Sequence, residues 1–185
     1  MKVLGVDPGT LVVGLACVET ARHEIRTSDA GRISNLVSFS RASSRVRLLD
    51  AAALSLGGRK SPIAARLEEL AAAIRERIDR WRPDVLAVEE AFYGKSVQAA
   101  LRIGEARGVV LLCAASAGIP IAQYAPAHVK LRVAGSGAAT KQVLAAMVAA
   151  QLGRSVDGLP SDATDALAVA LCHIQSAATG IPELH

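Results

Sequence analysis

The first eighteen residues hold two apolar runs joined by a tight break. Lys2-Val3-Leu4-Gly5-Val6-Asp7 stops at Pro8-Gly9-Thr10, and a nearly all-apolar run resumes from Leu11 to Val18. Short apolar runs bounded by Pro and Gly read as strands with both faces covered. The chain must therefore build a sheet with layers on each side. The first run closes with an acid, and a carboxylate at the end of a buried strand is costly to desolvate unless something pairs with it. A later run, Val85-Leu86-Ala87-Val88-Glu89, closes the same way. Asp162 and Asp165 open the last helical pattern, three apart and so on one face. Each acid alone has a plain structural reading, as a turn residue, a solvated loop acid or a helix-start acid. Together, two strand ends and a helix start can gather four carboxylates around hard divalent cations, which prefer oxygen ligands. That points to metal-assisted chemistry on phosphate. Of the adjacent pair Glu89 and Glu90, Glu89 keeps the strand's alternation with Ala87, so Glu89 is the one assigned to the site.

Along the chain, a third, weaker strand is expected near Thr27 to Ile33. Residues 34 to 60 show no clean period, and they read as a loop with one short helix around Val46 to Leu54. Ser61-Pro62 starts a helix, with Ser61 as N-cap and Pro62 at the first helical position. Ile63, Leu67, Leu70, Ile74, Ile78 and Trp81 follow at three- and four-residue steps until Pro83. After the strand to Glu89 comes a long helix over Lys95 to Ala117, in which Gly104 and Gly108 leave one face flat. Then come a strand over Ile119 to Tyr124 and helices over Pro126 to Val133, Thr140 to Leu152 and Asp162 to about Ser176. Strands first, then strands alternating with helices, predict an α/β sandwich on a mixed sheet. The length of 185 residues suits one domain, over 1–178, with a basic insertion at about 34–60 and a flexible tail at 179–185.

Hydrophobic residues make up 51% and aromatics 3%, so the core is aliphatic. No apolar run reaches the ~18 residues of a membrane span, and the start does not read as a signal peptide. Cys17, Cys113 and Cys172 lack any Cys-x-x-Cys pairing and read as buried thiols in a cytoplasmic protein. Positive charge is concentrated in residues 31 to 61. There Arg32, Arg41, Arg45, Arg47, Arg59 and Lys60 face Asp50 alone, a net of +5 that leaves −1 for the remainder. Such a segment suits a polyanion, with Arg41, Arg45 and Arg47 as candidate DNA contacts, or it is a solvated loop.

Five blocks stand out along the chain: Gly5-Val6-Asp7-Pro8-Gly9-Thr10, Ala87-Val88-Glu89-Glu90-Ala91-Phe92 and Ala106-Arg107-Gly108-Val109, then Tyr124-Ala125 with Val129-Lys130, and Asp162-Ala163-Thr164-Asp165-Ala166-Leu167-Ala168. In these blocks the chain resembles a RuvC-type Holliday junction resolvase of the RNase H-like superfamily. These blocks stand in family order across nearly the whole chain. The resemblance implies an RNase H-like fold with a five-stranded mixed sheet flanked by helices. It implies that Asp7, Glu89, Asp162 and Asp165 are catalytic, metal-binding acids holding two Mg²⁺ or Mn²⁺ ions. It further implies that Phe92 wedges against bases at a four-way DNA junction, and that Lys130 and Lys141 contact the DNA backbone. A homodimer working with a branch-migration motor of the RuvA and RuvB type, away from any membrane, follows from the same likeness.

Four departures stand out. Leu11 replaces a basic residue common in relatives, Leu15 stands where an aromatic is common, and Glu90 adds an acid beside the catalytic one. The most conspicuous is the basic segment 34 to 60, which is longer than relatives have there and has no family role to inherit. Other readings are a relative that processes ribosomal RNA and a non-catalytic junction-binding protein. The phosphate loop of actin-like ATPases also resembles Val6 to Thr10, but those proteins need two such domains.

Overall fold

The computed structural model describes residues 1–20, 46–58, 60–90 and 97–178. Among these, five strands form one sheet in the order β3-β2-β1-β4-β5. β1 (Lys2–Asp7) and β2 (Val12–Thr20) form the antiparallel hairpin that the Pro8-Gly9-Thr10 break demands, with Asp7 opposite Gly14. β3 (Val46–Ser55) pairs antiparallel with the outer side of β2. β4 (Val85–Glu89) and β5 (Ile121–Tyr124) run parallel to β1 on its other side. The parallel half is reached through helices, as parallel pairing requires: α1 (Ile63–Trp81) precedes β4 and α2 (Val97–Ser116) links β4 to β5. α3 (Pro126–Ala134), α4 (Lys141–Leu152) and α5 (Ser161–Ala178) follow.

Strand alternation sorts the core into two layers. Val3, Ala16, Val85, Ala87, Ala122 and Tyr124 pack with α3, α4 and α5, and α5 is buried along nearly its whole length. Leu4, Val6, Val13, Leu15, Leu86 and Val88 pack with α1 and α2. Asp7 shares the parity of Val3 and Gly5, and Glu89 that of Val85 and Ala87. Both acids therefore end their strands on the α5 face.

The structure overturns two sequence expectations. Val46 to Leu54 is an edge strand, not a helix. Its Leu- and Ala-rich run has helix-forming composition, but pairing with β2 gives its backbone a partner and overrides that weak preference. The ladder slips between Cys17 and Val18, where Leu49 is the extra residue of a bulge. Ser61 is not the cap of α1. Pro62 holds that position with no side-chain bond, while the Ser61 hydroxyl accepts from the Gly58 amide at 3.2 Å. Helix α1 ends at Trp81, because Arg82 turns left-handed (φ 47°) ahead of Pro83. The helix expected over Thr140 to Leu152 starts one residue later, at Lys141: Thr140 is its N-cap, and its hydroxyl accepts from the Val143 amide at 3.3 Å. The strand expected at Thr27 to Ile33, the start of the long helix at Lys95 and the tail at 179–185 lie outside the described residues.

Candidate active site

The site is built on two glycines. A side chain at Gly5 would meet the Ala166 carbonyl oxygen at 2.2 Å, and one at Gly14 would meet that of Asp162 at 1.9 Å. Only a bare backbone lets α5 lie this close to β1 and β2. This seating places the first turn of α5, with Asp162 and Asp165, over the strand end that carries Asp7. The β1–β2 turn after Asp7 is tied from the opposite layer. Arg66 of α1 is 4% exposed, and its Nη1 donates to the Thr10 carbonyl oxygen at 2.9 Å.

Asp7, Glu89, Asp165, Lys130 and Lys141 line one cavity of about 300 Å³, with Pro126, Val129, Leu144 and Ala168 as its apolar wall. Burial, reinforced by the charges of Asp165 and Asp162, pushes the Asp7 carboxyl up to about 6. Burial also pushes Glu89 up to about 7, helped by Asp7 and Asp165 and opposed by Lys130 and Lys141. These carboxylates repel one another in a partly dry setting, so the cluster lacks positive charge. The Lys141 ammonium supplies some, donating to Asp165 Oδ2 at 2.8 Å and to Ser161 Oγ at 3.1 Å. As the side chains stand, no three acid, histidine or cysteine groups among the described residues close on a single ion.

The structure thus brings together Asp7, Glu89, Asp165, Lys130 and Lys141. Asp162 stands at the rim, near enough for its charge to act on Asp7 and Lys141. Glu90 is exposed and its amide donates to the Tyr124 carbonyl, off the acid face. Arg47 is not brought to the site. It pairs with Glu19 at the Lys2 end of the hairpin, five residues or roughly 17 Å along the strands from Asp7. Phe92, Arg41 and Arg45 lie outside the described residues. The sequence reading missed Gly5, Gly14, Arg66 and Ser161. Glycines inside two strands, both at the parity of Asp7, are the signal that pointed to a close approach. Arg66 carried no such signal, since it reads as part of a solvated helix face.

The donor set suits a hard divalent cation: it is all oxygen, converges from three elements and is short of positive charge. The cysteines are buried elsewhere and free, so soft-metal chemistry has no ligands here. Among the described residues no helix is long and apolar enough to cross a membrane.

Comparisons with known proteins bear on this geometry. The family model described as crossover junction endodeoxyribonuclease RuvC matches residues 34–173. The chain is 40% identical over 179 residues to the protein of that name from Chloroflexus aurantiacus, covering 97% of this chain and 96% of the relative. It is 42% identical over 173 residues to the one from Moorella thermoacetica, covering 94% and 90%. Among solved structures it is similar to Thermus thermophilus RuvC in complex with a Holliday junction substrate. There the TM-score is 0.83 at 32% identity, and the match covers 100% of this chain and 99% of the other.

Proposed function

The chain belongs to the RuvC family of crossover junction endodeoxyribonucleases, and from that premise we propose how its own residues resolve a junction. Its fold is RNase H-like, and it is a junction-resolving endonuclease of a divalent-metal-dependent family. Asp7, Glu89, Asp162 and Asp165 are the catalytic acids, and two Mg²⁺ or Mn²⁺ ions are their charge partners. When bound, those cations supply a nucleophile at neutral pH and positive charge for the leaving 3′ oxygen. The observation that carries this assignment is the pair of half-buried strand-end acids, Asp7 and Glu89, lining with Asp165 one cavity that also holds two lysines.

The chain's residues divide the remaining work. β1 and β4 are hydrogen-bonded neighbours, so Asp7 and Glu89 are held on a rigid frame. α5, seated on Gly5 and Gly14, brings Asp165 and Asp162 to that frame. Lys130 and Lys141 supply the positive charge that attracts a phosphodiester to a mouth otherwise acidic enough to repel it. Phe92 is assigned to stacking on an unpaired base, which is worth roughly 1–3 kcal/mol per base.

A junction with two-fold symmetry calls for a two-fold protein. The open face of α2 suits a homodimer: Leu101 and Leu112 are exposed, and among the described residues nothing lies within 4 Å of the space beside Gly104 or Gly108. We assign cooperation with a RuvA- and RuvB-type motor, and a cytoplasmic location, on family grounds alone. The test is cleavage of synthetic four-way DNA junctions with Mg²⁺ or Mn²⁺. Wild type should cut in pairs, and Asp7→Asn should lose at least about a thousandfold of the rate while binding junctions undiminished. Equal cutting by the two proteins overturns the assignment of Asp7.

A further inference from the structure

We propose that Lys141 is the resident counter-ion of the acid cluster, held on Asp165 in the metal-free protein and exchanged onto a substrate phosphate when cations load. This rests on the reading of the four acids as a metal site and goes one step beyond it.

Lys141 is the first residue of α4. An ammonium there faces the positive end of a helix dipole, which disfavours it. Something other than its own helix must hold it in place, and the bonds to Asp165 and Ser161 do so. The two partners differ in freedom. The Lys141 side chain is 69% exposed and reaches in from solvent, while Asp165 is 20% exposed and fixed on α5. The lysine is therefore the partner that can leave.

It also has somewhere to go. Lys141 and Asp165 form the shared wall between the acid cavity and a second cleft of about 330 Å³, lined among others by Gln142, Asp157, Ser161 and Thr164. A short swing of the exposed stem moves the ammonium off Asp165 without disturbing the core. Lys130 makes the contrast. It lines the same acid cavity and its charge reaches Glu89, yet among the described residues no carboxylate stands within ion-pair distance of it. Lys130 contributes a field, whereas Lys141 covers a ligand oxygen.

Two consequences follow. A divalent cation must displace the ammonium to reach Asp165, so Lys141 weakens metal binding in the absence of DNA. Once displaced, the ammonium is unpaired beside the cluster and free to bond a phosphate oxygen, so metal loading and strand capture favour one another.

The test is Mn²⁺ binding to the full-length, DNA-free protein, followed by calorimetry and by the electron paramagnetic resonance signal of free Mn²⁺. Lys141→Met should bind Mn²⁺ about two- to fivefold more tightly than wild type, the range expected for removing a partly exposed ion pair. Lys130→Met should tighten it less. No tightening in Lys141→Met, or equal tightening in the two variants, overturns the exchange, because either result leaves only a general field. Should the methionine variant fold poorly, Lys141→Gln carries the same expectation. Asp165→Asn separates the two readings. If it binds Mn²⁺ like wild type, the metal assignment itself fails, whatever Lys141 does. At saturating Mn²⁺, kcat of Lys141→Met on a four-way junction should fall at least tenfold, and an unchanged kcat refutes the transfer onto phosphate.

Discussion

On the face that meets α5, the strands present Gly5, Gly14, Ala16, Ala87 and Ala122 among larger residues such as Val3 and Val85. On the face that meets α1 and α2 they present Leu4, Val6, Leu15, Leu86 and Val88. Both sets come from the same strands by alternation. The large residues bury apolar area at roughly 25 cal/mol per Å², and fully burying one such side chain is worth about 1.5–3 kcal/mol. The glycines and alanines bury little area but let a helix backbone come to the sheet backbone. The face toward α1 and α2 supplies stability, and the face toward α5 supplies position. All four acids stand at the rim of the positional face, where a displacement of about an ångström is felt in the chemistry.

That division is tested most severely at Glu89. Glu89→Gln keeps the shape and removes the charge, so cutting should fall at least about a thousandfold. Stability should move the other way. A carboxyl raised to about 7 from 4.5 binds its proton more tightly in the folded state than in the unfolded one. This group therefore favours folding below about pH 4.5 and loses that contribution as pH rises through about 7. In EDTA at pH 8, Glu89→Gln should melt higher than wild type, and the gap should close toward pH 5. Thermal melts at both pH values decide it, and an amide variant that melts lower at pH 8 would contradict the strained-charge picture.

The two faces should also answer differently to a methyl-scale change. Leu70→Ala removes a fully buried side chain from the α1 layer and should cost about 2–5 kcal/mol, with unchanged cleavage per folded molecule. Gly14→Ala adds one carbon against the Asp162 carbonyl, a backbone atom that cannot rotate away. It should cost about 1–3 kcal/mol and also lower cleavage per folded molecule, because α5 must lift. Denaturant melts paired with single-turnover cleavage separate the outcomes. If Gly14→Ala loses only stability, the positional face has no special role.

Much of this was legible in the sequence because burial and chemistry coincide there. A buried run must be a strand or a helix, and an acid at its end is visible as an anomaly. The alternation that assigns Glu89 over Glu90 is read from five letters. β3 was not legible, since Arg47-Leu48-Leu49-Asp50-Ala51-Ala52-Ala53-Leu54 carries helix-forming residues and becomes a strand only because β2 offers an unpaired edge. Arg66 and Arg77 were equally hidden. Both flank the apolar stripe of α1, where a charged residue reads as solvated, yet they are buried, one on the Thr10 carbonyl and one on Asp50 at 3.2 Å. Nonlocal partners decide such residues, and a local pattern does not contain them.

A smaller effect distinguishes the deep part of the α5 layer from its rim. Tyr124 Oη and His173 Nδ1 lie 2.7 Å apart in the core, and burial holds the His173 ring below its usual range. The unfolded chain thus takes up this proton more readily than the folded one. The His173 contribution is present above about pH 6.5 and fades as pH falls. Its sign opposes that of Asp7 and Glu89, so it appears as a difference between proteins. Between pH 7 and 5 in EDTA, His173→Asn should lose less stability than wild type. Parallel melting curves would place the pH response of this face at the rim alone.

The smallest expected effect is the one most exposed to a one-residue error. Glu90 follows Glu89 directly, is exposed, and lies on the opposite side of the strand's alternation. Its amide is held by the Tyr124 carbonyl at 2.9 Å, so the β4–β5 ladder continues past Glu89 and fixes which way each residue faces. A slip of one residue exchanges every side chain between the faces, and here it would move the acid from the cavity to solvent. Glu90→Gln should therefore cut four-way junctions within about twofold of wild type, since an exposed surface change perturbs a protein by under about 0.5 kcal/mol. Junction affinity should rise slightly, because one acid fewer faces the polyanion. Measured beside Glu89→Gln under identical metal, the pair gives a direct reading of register. A dead Glu90→Gln with an active Glu89→Gln would shift β4 by one residue and place the catalytic acid on the face opposite Asp7 and Asp165.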